Sequence, residues 1–88
     1  MSVNKSVEET IKEIAARILR KKGLVFAPNT TFKSLGADSL DIVQIVVAVE
    51  DAYDLELDDE ELKEITDTTG FVAYVESKIT EKASKMSQ

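Results

Sequence analysis

The stretch "SLGADSLDIVQIV", residues 34–46, joins a glycine-containing loop to an almost unbroken apolar run, and this junction decides the fold. Asp38 is a natural N-cap. Asp41 stands three residues later, close to the reciprocal pattern in which a cap and the third helical residue bind each other's amides. A helix is therefore expected over 39–54. Ile42, Ile45, Val46, Val49 and Tyr53 recur at three- and four-residue steps and supply one core stripe. Leu40, Val43 and Val47 form a second stripe, displaced around the same helix. One stripe docks a helix in a small bundle. A second implies either deep burial or apolar residues left for a partner.

Outward from this helix, three further helical segments can be read, and no strand. Val7, Ile11, Ile14, Ile18 and Leu19 predict a helix over about 4–22, with a capping box at Ser6 and Glu9 and a stop at Gly23. Residues 23–37 form a long loop whose Leu24, Val25, Phe26, Phe32 and Leu35 are expected to be partly buried; Phe32 and Leu35 imply a short helical turn. Asp58 caps a short helix over 59–65 that turns Leu62 and Ile65 inward. Asp67 or Thr68 caps a last helix over 69–82, with Phe71, Val72, Val75 and Ile79 as its stripe, and a frayed tail follows at 83–88. The prediction is an all-α, four-helix bundle spanning 1–88 as one domain, with three longer helices and one short one.

Composition narrows the chemistry. The chain has 88 residues with neither His nor Cys, so the commonest general base, the commonest metal ligand and any thiolate are missing. No apolar run approaches the ~20 residues of a membrane span. Residues 1–13 lack the apolar core of an export signal, so a cytoplasmic location is expected. The net charge of −6 argues against nucleic acid as a partner. Between Leu35 and Asp67 the only cation is Lys63, facing twelve carboxylates. Such an acidic stretch suits an electropositive protein partner, or simply a solvated face. The run around Asp54 does not fit a calcium loop: position six of that frame is Asp59 and position twelve is Ile65. No specific metal site is expected.

Ser39 is a poor nucleophile here. It has no histidine to activate it, and Gly-Ala-Asp-Ser-Leu is not the nucleophile elbow of hydrolases. No catalytic residue is expected. A helix N-terminus does tolerate an attached phosphate, since its amides are unpaired and its dipole is positive. Gly36 frees the loop, Asp38 fixes the turn, and Leu40 and Val43 offer an apolar surface beside the hydroxyl.

The stretch "FKSLGADSLDIVQIVVAVEDAYDLEL", with the "LDDEELKEIT" and "FVAYV" segments after it, resembles the signature region of acyl carrier proteins. The resemblance covers most of the chain. It implies a non-catalytic carrier in which Ser39 bears 4′-phosphopantetheine, delivered from coenzyme A by a phosphopantetheinyl transferase, with Asp38 and Leu40 flanking the attachment point. It also implies a recognition helix whose Asp38, Leu40, Asp41, Val43, Gln44, Val47, Glu50 and Asp51 meet basic docking patches on acyl-loading and acyl-processing enzymes. A monomer is expected. Gln44 stands where carriers of fatty-acid synthesis usually have Glu, and Asp58 where Pro is frequent. These departures keep a specialised lipid, polyketide or aminoacyl carrier beside the primary fatty-acid role. An acidic helical adaptor with no prosthetic group is the rival from another class.

Overall fold

The computed structural model describes residues 6–86. Four α-helices run in the order α1 (Val7–Leu19), α2 (Ser39–Tyr53), α3 (Asp59–Lys63) and α4 (Thr68–Met86). Ser6 starts α1 through a complete capping box: the Glu9 N–H donates to Ser6 Oγ at 3.1 Å, and the Ser6 N–H donates to Glu9 Oε1 at 3.1 Å. The expected start at Asn4 lies outside the described residues.

The end of α1 differs from expectation. The helix stops at Leu19 instead of Lys22, because Arg20 adopts a left-handed conformation (φ 57°) and the Lys21 N–H closes back on the Ala16 carbonyl at 3.0 Å. Gly23 is therefore not the stop. The early reversal returns Leu24 and Phe26 to the bundle, with Phe26 fully in the core. Val25, between those two residues, is 65% exposed, contrary to expectation.

The core is built from Ile11, Ile14 and Ala15 of α1, Ile45 and Val49 of α2, and Phe71, Val72 and Val75 of α4. Each set follows the helical period read from the sequence, and α1 lies against both α2 and α4. The long loop contributes an aromatic ladder. Phe26 meets Phe32 edge-on with ring centroids 5.8 Å apart, and Phe32 meets Phe71 in the same way at 5.5 Å. The Thr68 N–H donates to the Thr30 carbonyl at 2.8 Å, tying the loop to the start of α4. Asp67 caps α4 by accepting the Gly70 N–H at 2.8 Å. A side chain at Gly70 would place its Cβ 2.8 Å from that same carboxylate oxygen, which accounts for a glycine in the first turn.

No residue of α3 is fully buried, and polar contacts hold the helix down. Tyr74 of α4 accepts the Asp58 N–H at 3.0 Å and donates to Glu61 Oε1 at 2.7 Å, and Lys78 pairs with the same carboxylate at 3.1 Å. The Tyr74 hydroxyl and the Lys78 ammonium hold the Glu61 carboxyl below its usual range. Burial, then the bond to Glu61, pushes Tyr74 above its own. α3 ends at Lys63, not at 65, because the Glu64 and Ile65 N–H groups make tighter three-residue bonds to Glu61 and Leu62. α4 runs on through 83–86, where a frayed tail was expected. Lys82 bonds the Asp54 carbonyl and its carboxylate, anchoring the last turns, and the sequence there contains no helix breaker.

Two outcomes follow from these ends and clamps. Arg20→Gly should raise stability by about 0.5 kcal/mol, since glycine relieves the left-handed strain while loosening the unfolded chain; urea unfolding measures it. Glu61 is deprotonated more readily in the folded chain than in the unfolded one, so its contribution is present above the ordinary Glu range. It is lost as pH falls through that range towards the lowered folded value. Glu61→Gln should therefore show a flatter loss of melting temperature between neutral and acidic pH than the wild type.

Candidate functional site

Ser39 is the first residue of α2, and its exposed hydroxyl makes no hydrogen bond to a described residue. The turn that presents it is closed by backbone bonds: the Gly36 N–H donates to the Lys33 carbonyl at 2.9 Å, and the Ala37 N–H to Phe32 at 3.0 Å. Gly36 has φ +102°, which side-chain-bearing residues rarely adopt. Ala37 is buried and acts as the turn's anchor. Asp38 then caps α2 in an extended conformation. Asp38 Oδ1 accepts the Asp41 N–H at 2.8 Å, and Asp41 Oδ2 accepts the Asp38 N–H at 3.1 Å. Both carboxylates are thus turned onto backbone amides, while the Ser39 oxygen points into solvent at the positive end of a 15-residue helix.

The second stripe of α2 is outside the bundle. Leu40, Val43 and Val47 are 65%, 56% and 49% exposed, and Gln44 and Asp51 are exposed with them. Glu50, grouped with these residues by the sequence, is placed elsewhere. It is half-buried, and its Oε2 accepts the Leu57 N–H at 2.8 Å, bracing the link between α2 and α3. Asp41 is half-buried within the capping box.

Beside the stripe runs an apolar groove of about 530 Å³ between α2, α3 and the start of α4. Ile42, Val46 and Val47 form one wall, Leu62 and Ile65 the other, and Phe32 and Phe71 are also part of its lining. The sequence marks most of these residues as core and Val47 as part of the second stripe, but not as one groove, because a groove belongs to the spacing between helices and not to any one of them. A smaller polar hollow of about 320 Å³ lies between Asp54, Lys78 and Lys82, near the other end of α2, roughly 20 Å along the helix from Ser39. Among the described residues no carboxylates cluster as metal ligands, and no helix is long and apolar enough to cross a membrane.

Ser39 is thus an exposed, unbonded hydroxyl at the tip of α2, in a chain without histidine. Comparison with known proteins gives the family. The family described as "Phosphopantetheine attachment site" matches residues 9–75, so the chain belongs to that family and 4′-phosphopantetheine is its prosthetic group. The chain is 35% identical over 78 residues to the mitochondrial acyl carrier protein of Dictyostelium discoideum. That match covers 89% of this chain but only 65% of the relative's length. The fold is that of the solution structure of holo acyl carrier protein from Geobacter metallireducens, with a TM-score of 0.80, 17% identity, and coverage of 91% of this chain and 93% of that one. The residues present fit the group. The hydroxyl is unengaged, the amides of the first turn at Ser39 and Leu40 precede the first intrahelical bond, and both neighbouring carboxylates are occupied.

Proposed function

We propose that this chain is an acyl carrier protein that holds acyl groups as thioesters on a 4′-phosphopantetheine arm attached at Ser39. The observation that carries the proposal is the position of that hydroxyl: exposed, unbonded, at the first position of α2 and within the family match. The arm is installed by a phosphopantetheinyl transferase. The serine oxygen displaces adenosine 3′,5′-bisphosphate from the pantetheine-bearing phosphorus of coenzyme A. One O–P bond forms as another breaks, and the hydroxyl proton passes to a base on the transferase. The arm supplies the thiol that this sequence lacks.

The chain's own part is presentation. Leu40, Val43 and Val47 give acyl-loading and acyl-processing enzymes an apolar strip to cover, with Asp38, Gln44 and Asp51 around it for a basic docking patch. Glu50 supports this surface from within. The groove along α2 is mostly apolar, although Thr31, Lys33, Glu50 and Asp59 also line it, and its Ile42, Val46, Leu62 and Ile65 surface favours a hydrocarbon cargo. The name of the Dictyostelium relative sets the mitochondrion beside the cytoplasm as a compartment in which to look for the modified chain.

Incubation with coenzyme A and a transferase, followed by intact-mass spectrometry, should show one phosphopantetheine addition to the wild type and none to Ser39→Ala. A wild type left unmodified, under conditions that load a control carrier, would mean an adaptor without a prosthetic group.

A further inference from the structure

Residues 14–37 contain five cations and no carboxylate. Lys21 is set apart from the other four by its contact. The left-handed turn at Arg20 swings it off the end of α1, and its Nζ donates to the Leu35 carbonyl, fourteen residues along the chain, at 2.7 Å. The same ammonium fills the space beside Gly36: a Cβ built there would stand 2.6 Å from Lys21 Nζ and 3.3 Å from its Cε. The turn that ends in Asp38 and Ser39 is therefore closed from inside by its backbone bonds and braced from outside by one side chain. Arg17, Arg20, Lys22 and Lys33 are exposed and form no ion pair among the described residues.

We propose that Lys21 is a positioning residue for the modification of Ser39. Its bond to Leu35 keeps the turn at 35–36 in the one conformation that presents the Asp38–Ser39 junction outward, so that a transferase meets a preformed acceptor. This rests on Ser39 being the attachment point. Lys21 takes no part in the transfer itself. Without the brace the turn samples other arrangements, and the apparent affinity of the transferase for the carrier falls by the fraction of chains still in the competent form. The loss therefore appears in KM for the carrier and leaves kcat unchanged.

The test compares full-length wild type, Lys21→Met, Lys21→Arg and Lys22→Met as acceptors, with coenzyme A and one transferase, and follows amide hydrogen exchange at 36–39 in each. Lys22→Met removes the same charge from the next residue without touching the turn. Lys21→Met should raise KM by about three- to tenfold, as expected for the loss of one solvent-exposed hydrogen bond, and speed exchange at 36–39. Lys22→Met should stay near the wild type in both, and Lys21→Arg, which keeps a donor, should recover most of the loss. Equal effects from Lys21→Met and Lys22→Met would overturn the proposal in favour of general charge. A Lys21→Met chain like the wild type in KM and exchange, or a Lys21→Arg chain as impaired as Lys21→Met, would overturn it too. If the wild type takes no phosphopantetheine at all, the carrier role falls and this proposal with it; normal loading of the wild type isolates the outcome to Lys21.

Discussion

The bundle covers only one side of a helix that is apolar on two. Ile45 and Val49 of α2 are sealed against α1 and α4, while Leu40, Val43 and Val47 stay in water. Among the described residues, the five-residue α3 faces α2 across the groove. The groove lies beside α2, and the stripe of Leu40, Val43 and Val47 is left uncovered. Exposed apolar side chains of this kind carry a solubility cost, and the dense carboxylates around them offset it through net charge.

Much of that acidity is occupied within the fold. Asp38 and Asp41 cap α2, Glu50 braces the next link, Asp54 holds Lys82, Asp58 and Asp67 cap α3 and α4, and Glu61 is clamped by Tyr74 and Lys78. The acidic middle of the chain thus serves two purposes. Several carboxylates replace packing that so small a domain cannot provide, and the others, such as Asp51, remain on the outer face. The charge run fits a partner surface or a solvated face when read as a whole; the structure divides it residue by residue.

The helices were legible because their apolar positions follow a strict period, and their starts because Ser6–Glu9, Asp38–Asp41, Asp58 and Asp67 are local capping signals. What depended on distant parts of the chain was not. The early end of α1 turns on Arg20 adopting a left-handed conformation, a choice made by the need to bring Phe26 back to Phe32 and Phe71. Nothing in the sequence distinguishes Glu50 from Asp51 as the inward-facing carboxylate, since the difference lies in where the Leu57 amide arrives. The reason for Gly70 likewise lies in the fold, since the Asp67 carboxylate stands where a side chain would go. Ser39 was readable as a candidate site because its setting is contiguous in the chain. The groove and the Lys21 brace join separate elements, and so were not.

The central proposal is that the groove beside α2 takes a hydrocarbon cargo tethered at Ser39. Its most direct test is the unfolding free energy of the holo protein loaded with straight-chain acyl groups of increasing length. If the chain enters the groove, each added methylene should stabilise the fold by up to about 0.8 kcal/mol until the space is full. Stability that stays flat across the whole series would contradict it.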